Sequence, residues 1–283
     1  MPSWGAHVYL WASSPTSTEL ERAIGAASAL GLDHVQISLT SLDSLDAAVV
    51  RGALLRHRMA CTTGLALPKG VWVDRRRGGM VAFLRRAVDT TAALGATMLC
   101  GALYTPLGLR TVPASRRQEL AIVRLVLKEV AQYARVSGVQ LCLEPVNRYE
   151  TSLVNTCAQA VELVTDIDEQ NVSVQLDTFH MNIEEQDFYA SILQTGERIG
   201  YVQLADSHRG APGDGHIPWD AVFAGLRDVG YDGGLALESF TSRNRAVTMA
   251  TSVWRDVVGD PDKFVSRSMR YLLARARAVG YLA

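Results

Sequence analysis

The sequence predicts a single (β/α)8 barrel spanning residues 1–283, and two observations carry the prediction. Short apolar runs rich in Val, Ile and Leu alternate with longer amphipathic segments, and the alternation continues to the C-terminus. No linker, low-complexity tract or break in composition divides the 283 residues, a length that suits one large α/β barrel. A doubly wound open sheet is the structural alternative. That fold usually carries a glycine-rich phosphate turn after an early strand, and no G-x-G-x-x-G stands there. The stretch Gly210-Ala211-Pro212-Gly213-Asp214-Gly215 follows the seventh run instead and reads as a flexible loop.

In chain order, strands are expected at His7–Trp11, His34–Ser38, Ala60–Gly64, Thr97–Gly101, Gln140–Glu144, Val172–Asp177, Tyr201–Leu204 and Leu235–Glu238. Helices are expected near 18–30, 44–58, 79–94, 115–136, 157–167, 187–197, 219–229 and 263–279. Thr16 and Thr18, at the start of the first helix, each have a glutamate three residues on, the spacing of a capping box. The second helix follows Asp43 and Ser44, and the seventh opens on Pro218-Trp219-Asp220, both cap or first-turn signals. Gly31, Gly95, Gly138 and Gly230 stand where helices should stop. The link 241–262 is unusually long, and Val247, Met249, Val253, Trp254 and Val257 give it an apolar side. It suits packing on its own barrel, closing over a pocket, or a subunit contact.

Charge and composition narrow the function. Twenty-eight Lys+Arg against 29 Asp+Glu leave a net charge of −1, without the clustered positive surface that nucleic-acid binding needs. Arg75-Arg76-Arg77 is a short basic run that reads as a solvated loop or helix start. No segment approaches the roughly 18–20 apolar residues of a membrane span. Ala121–Val130 comes nearest and is broken by Arg124, Lys128 and Glu129. The N-terminal residues lack the pattern of a signal peptide, and Cys61, Cys100, Cys142 and Cys157 form no C-x-x-C pair. They read as reduced packing residues of a cytoplasmic protein.

In such a barrel the active site lies at the C-terminal ends of the strands, so the polar residues that close the apolar runs are the candidates. The fifth run ends in Glu144, the sixth in Asp177 and the eighth in Glu238, and the seventh reaches Gln203. Three carboxylates facing one another at a sheltered barrel mouth repel unless protonated or bridged by a cation. A divalent metal stabilises them most simply, and an all-oxygen set favours Mn²⁺ or Mg²⁺ over Zn²⁺. Near the same rim lie His180, three residues past Asp177, and Glu150, six past Glu144. Asp206-Ser207-His208-Arg209 follows Gln203 in a loop able to reach substrate oxygens.

Three long motifs resemble the ketose 3-epimerases, the D-tagatose, D-allulose (D-psicose) and L-ribulose 3-epimerase family of the xylose-isomerase-like TIM barrels. They are Leu143 to Glu150, Leu176 to Glu185 and Asp206 to Trp219. Leu99 to Tyr104, Tyr231-Asp232-Gly233 and Glu238-Ser239-Phe240 are similar to that family as well, so the resemblance runs from about His7 to Trp254. It implies one divalent ion, commonly Mn²⁺ or Co²⁺, held at the ends of strands five to eight, with Glu144, Asp177 and Glu238 matching three of the ligands. The two glutamates are also the family's catalytic pair. The resemblance further implies that His180 and Arg209 contact the O1–O3 side of the sugar, that Glu150 helps hold it, and that Trp11 and Phe240 line its pocket. A homodimer or homotetramer is implied by kinship alone.

Two positions depart from the family pattern. Gln203 stands where the epimerases carry a metal-binding histidine, and Gln36 where they often carry glutamate. Hydroxypyruvate-isomerase-like relatives use Gln at the former, so the amide carbonyl of Gln203 is expected as a weaker fourth ligand, with a shift toward Mn²⁺ or Mg²⁺. The expected reaction is inversion of a free ketose at C3 through a cis-enediolate, one of Glu144 and Glu238 taking the proton and the other returning it. A sugar or keto-acid isomerase on the same scaffold and a non-catalytic sugar-binding subunit are the alternatives. The DNA-repair endonuclease of this barrel class needs a multi-zinc cluster, for which six histidines and a neutral charge balance are a poor basis.

Overall fold

Eight parallel strands in sequence order close into a barrel, with β1 pairing to both β2 and β8. The computed structural model describes residues 1–39, 42–43, 45–73, 77–110 and 112–283. The strands are β1 (Ser3–His7), β2 (His34–Ser38), β3 (Ala60–Gly64), β4 (Met98–Gly101), β5 (Gln140–Leu143), β6 (Val172–Asp177), β7 (Ile199–Leu204) and β8 (Gly234–Leu237). The helices are α1 (Ser17–Ala29), α2 (Ala47–His57), α3 (Lys69–Val73), α4 (Arg77–Leu94), α5 (Pro113–Val136), α6 (Cys157–Ile167), α7 (Thr178–Glu184), α8 (Phe188–Thr195), α9 (Trp219–Asp228), α10 (Arg245–Thr251) and α11 (Pro261–Ala278).

The first strand lies upstream of the expected His7–Trp11. Gly5, Ala6 and His7 register with His34, Val35 and Gln36 of β2, while Val8–Leu10 coil into a 3-10 turn. The His7 ring caps that turn, its Nδ1 accepting from the Tyr9 N–H at 3.1 Å. The apolar run Val8-Tyr9-Leu10-Trp11 is therefore a buried turn, a case that apolarity alone cannot tell from a strand.

Helix caps differ in detail from the sequence pattern. Thr16 occupies the N-cap of α1 without a side-chain cap bond, its hydroxyl lying 3.2 Å from that of Ser14, and Glu19 is drawn back to the Ser13 N–H at 3.0 Å and to Arg22. Asp46, not Asp43, caps α2, accepting from the Ala48 and Val49 N–H groups. Ser44 lies outside the described residues, as do Arg75 and Arg76; Arg77 opens α4 and pairs with Glu129 at the surface. Gly31, Gly95, Gly138 and Gly230 follow α1, α4, α5 and α9 with positive φ, as helix stops should.

Alternation along each strand fills the barrel. Cys100, Cys142, Tyr201 and Ala236 come from four strands and pack together inside it, with the Tyr201 hydroxyl 2.9 Å from His34 Nε2. The outer faces of the strands and the inner faces of the helices form one large apolar cluster. All four cysteines are free, and three are buried. Among the described residues no helix is long and apolar enough to cross a membrane.

Candidate active site

The same period of two that fills the barrel also builds its floor. Two residues beyond Cys142, Tyr201 and Ala236 stand Glu144, Gln203 and Glu238, and two beyond His34 stands Gln36. All four line one cavity of about 330 Å³ at the C-terminal mouth. Asp177 closes β6 in register with Gln203, nearly fully buried, and its Oδ1 caps α7 by accepting from the Phe179 N–H at 2.8 Å. That cap starts α7 in the turn that carries His180, so one aspartate organises two site residues.

The Asp206–Trp219 loop brings Arg209 back over the floor. The Asp206 carboxylate ties the loop down, accepting from the N–H groups of Ser207 and Gly213 at 2.8 and 2.7 Å and from the Trp219 indole at 3.3 Å. The glycine-rich 210–215 stretch, expected to be flexible, is thus clamped by an inward carboxylate. Arg209 itself has a φ of +62°, and its guanidinium lies 4.2 Å from the centre of the Phe179 ring and 5.6 Å from that of Phe240. Its Nη1 donates to Asp177 Oδ2 at 2.7 Å and to Glu238 Oε2.

His180 is oriented from behind. Its Nδ1 accepts from the Asn147 backbone N–H at 3.2 Å and lies 2.9 Å from the Asn147 amide nitrogen, which also donates to Glu150 Oε1 at 3.2 Å. Its Nε2 faces Glu144 Oε1 at 3.5 Å and Asp177 Oδ2 at 3.6 Å. Ligand-capable atoms of Glu144, Asp177 and His180 lie within 4.8 Å of one another, a set that could hold a metal ion. Tyr104 fixes the end of β5, its hydroxyl 2.7 Å from the Glu144 carbonyl oxygen.

Burial and crowding set the charges. Burial raises the Glu144 carboxyl well above its ordinary range, with further upward pushes from Glu238 and Asp177. Burial also raises Glu238, to about 8, although the Arg209 guanidinium pulls it down. Asp177 is lowered: burial opposes, and Arg209 and His180 prevail. Two of the three carboxyl groups are thus raised enough to hold protons near neutrality beside one guanidinium, and a divalent cation, which suits their oxygen donors, could take the place of those protons.

This barrel with its carboxylate floor matches the family described as xylose isomerase-like TIM barrel over residues 22–272. The chain is 32% identical over 278 residues to the L-ribulose 3-epimerase of Methylomonas sp. (strain DH-1), covering 96% of this chain and 97% of that one. The chain belongs to the ketose 3-epimerase family. Another ketose 3-epimerase, from Arthrobacter globiformis, is 32% identical over 281 residues, with 97% of each chain covered. The crystal structure of D-allulose 3-epimerase from Methylomonas sp. in complex with D-allulose has a TM-score of 0.92 to this chain at 31% identity, again covering 97% of each.

Of the residues the resemblance assigned to this ketose 3-epimerase site, Glu144, Glu150, His180, Gln203, Arg209, Glu238 and Phe240 line the cavity, and Asp177 lies beneath Arg209. Trp11 does not line it. With β1 ending at His7, the chain turns before Trp11, which is buried with its indole N–H donating to Asp262 Oδ1 at 2.7 Å. His7 and Tyr9 take the place on the wall that Trp11 was expected to fill. Sequence reasoning also missed Lys69 at the mouth, Gln175 on the floor, and Asn147 behind His180. A strand ending in His7 would have flagged His7 itself; Lys69 opens the short helix α3 between β3 and α4, too short for a period to read. The long link after β8 contributes α10, whose Val247, Ala250 and Thr251 close part of the cavity, while Met249 and Trp254 remain exposed.

Proposed function

We propose that this chain epimerises free ketoses at C3, on substrates of the D-tagatose, D-allulose and L-ribulose type. The observation that carries the reading is the pair Glu144 and Glu238. They close β5 and β8 with two strands between them, line one cavity, and both have carboxyl groups raised by burial. Inverting a carbon beside a ketone needs a base on one face of a planar intermediate and an acid on the other. An aldose–ketose isomerisation needs only one face.

Glu144, Asp177 and Glu238 would hold a divalent cation, Mn²⁺ first, with Mg²⁺ or Co²⁺ as substitutes. When bound, such a cation supplies the positive charge that polarises the C2 carbonyl and stabilises the enediolate. One of Glu144 and Glu238 removes the C3 proton, and the other delivers a proton to the opposite face. His180 is held from both sides, the Asn147 N–H donating to its Nδ1 at 3.2 Å and the Arg209 Nη2 lying 3.2 Å from its Nε2, and it contacts the substrate oxygens on the O1–O3 side. Arg209 adds a fixed positive charge over the same oxygens, and Glu150 and Phe240 bound the rest of the sugar.

The test is incubation of the Mn²⁺-loaded protein in D₂O with D-fructose, D-allulose, D-tagatose, D-sorbose and L-ribulose, read by NMR. Deuterium at C3 with the C3 epimer appearing is the expected result. Deuterium at C1 with an aldose product would move the assignment to an isomerase.

A further inference from the structure

His7 ends β1 in register with Gln36 of β2, and its ring stands on the cavity wall, edge-on to Phe240 at 5.4 Å between centres. Only 5% of the residue is exposed, and that small part opens on the cavity. Its Nδ1 accepts from the Tyr9 N–H at 3.1 Å. A backbone N–H only donates, so Nδ1 carries no hydrogen and the neutral ring keeps its hydrogen on Nε2. Burial and the Arg209 guanidinium lower the ring's pKa to about 3, and a cation on the floor would push the same way. Among the described residues no group accepts from Nε2, and that atom is not sealed in the core as His34 Nδ1 is. A polar group this enclosed is normally paired, with protein, water or ligand.

Two other roles are closed to His7. One nitrogen is taken by the Tyr9 N–H and the other carries hydrogen, so neither offers a lone pair to a cation. The metal-capable cluster of Glu144, Asp177 and His180 accordingly lacks it. For the same reason Nε2 takes no proton from a substrate. What remains is donation to an oxygen of the bound ketose, and the barrel order says on which side. His180 follows β6 and Arg209 follows β7, and both take the O1–O3 side; β1 lies beyond β8 from them. With C3 between Glu144 and Glu238, the carbons from C4 onward run toward the wall that β1 to β4 build. Leu65, Leu67 and Leu107 make much of that wall apolar. Gln36 is bonded to Gln203 at 2.6 Å, and Ser38 stands two residues farther out along β2, so His7 is the unpaired donor closest to the floor.

We propose that His7 is a specificity-determining residue of the site, donating from Nε2 to a hydroxyl oxygen that the ketose carries beyond C3. The proposal rests on the proposed function in taking a ketose as the ligand. It adds a preference for a hydroxyl that the chemistry at C3 does not itself require.

The experiment measures kcat/KM of Mn²⁺-loaded wild type, His7→Asn and His7→Gln with D-fructose and its 4-deoxy, 5-deoxy and 6-deoxy analogues. Asn keeps an acceptor near the Nδ1 position for the Tyr9 N–H but stops short of the cavity. Gln carries an N–H₂ out to the Nε2 position. With D-fructose, His7→Asn should lose about three- to tenfold, the range of one hydrogen bond between neutral groups, and His7→Gln should recover most of that loss. With one of the three analogues wild type and His7→Asn should agree within about twofold, because the oxygen that His7 serves is gone. Equal losses in His7→Asn with all four sugars would overturn the proposal, since a ring that only shapes the wall predicts them. A His7→Gln no better than His7→Asn would overturn it as well. If wild type binds these ketoses by calorimetry but epimerises none, the proposed function fails, while the dissociation constants of the same proteins and sugars still decide the role of His7.

Discussion

Arg209, on the wall of the cavity, donates to Asp177 at 2.7 Å, with both side chains almost wholly buried. The guanidinium occupies the point where carboxylates from β6 and β8 converge, so it offsets charge that would otherwise repel. Burial alone would lower the Arg209 pKa, but Asp177 and Glu238 keep it raised and the side chain charged. The same contact makes Arg209 a neighbour of any cation that the carboxylates take up.

Arg209→Met should therefore separate the two positive charges. Removing one partner of a buried ion pair costs about 3–5 kcal/mol, because the other is left uncompensated. The metal-stripped variant should melt well below wild type, and Mn²⁺ should raise its melting temperature by more than it raises that of wild type. Thermal unfolding with and without Mn²⁺ checks this. Equal gains in both proteins would show that the guanidinium does not share the carboxylates with the cation.

The pH dependence of the metal-stripped protein follows from opposed shifts. Glu238 has its folded pKa raised to about 8 by burial, so its contribution is full below the unfolded value near 4.5 and is lost as pH rises through 8. Glu144 is raised as well, through burial and its carboxylate neighbours, and acts in the same direction. His7 is lowered to about 3 by burial and by Arg209, and His34 to about 4 by burial. Their contributions are present above the unfolded value near 6.5 and are lost as pH falls. Between about pH 7 and 8 the histidines no longer compensate, so stability should decline by up to about 1.4 kcal/mol per pH unit for each raised carboxyl. Urea unfolding across that window should show the decline in wild type and a shallower one in Glu238→Gln.

Glu144→Gln and Glu238→Gln should each leave the fold intact and lower epimerisation by at least about 10³-fold, within the range general acid–base groups supply. A sharper outcome distinguishes the two. The glutamate that remains can still remove a proton from its own face and return deuterium to that same face. Each variant should then exchange C3–H of one epimer, D-allulose or D-fructose, without making the other. The two variants should choose opposite epimers. Exchange of both epimers by a single variant would mean that the glutamates do not serve separate faces.

Much of this was legible in the sequence, for a definite reason. β2, β3 and β6 run as expected, and Glu144, Gln203 and Glu238 share the direction of the barrel-filling Cys142, Tyr201 and Ala236 two residues before them, while Asp177 was found as the polar residue that ends the β6 run. The first strand was misplaced because Val8-Tyr9-Leu10-Trp11 is as apolar as a strand while being a turn. Lys69, Asn147 and the α10 residues reach the cavity along connections whose paths no period encodes. The bond from Gln203 to Gln36 joins β7 to β2, far apart in sequence, so that partner appeared only with the closed barrel.

The last of these features, α10, bears on substrate entry. Ala250 is exposed yet borders the cavity, whereas its neighbour Met249, 62% exposed, does not line it. An exposed position tolerates a large side chain with a stability change of about 0.5 kcal/mol or less. Ala250→Trp should thus leave the melting temperature unchanged while crowding the mouth. A KM for D-allulose raised about tenfold, equivalent to about 1.4 kcal/mol of lost binding, with kcat nearly constant would mark loss of uniform binding, not of chemistry. Met249→Ala, one residue away, should change neither constant. If both substitutions are silent, α10 stands clear of the path the sugar takes, and the wall formed by Leu65, Leu67 and Leu107 on the other side of the mouth would have to govern entry.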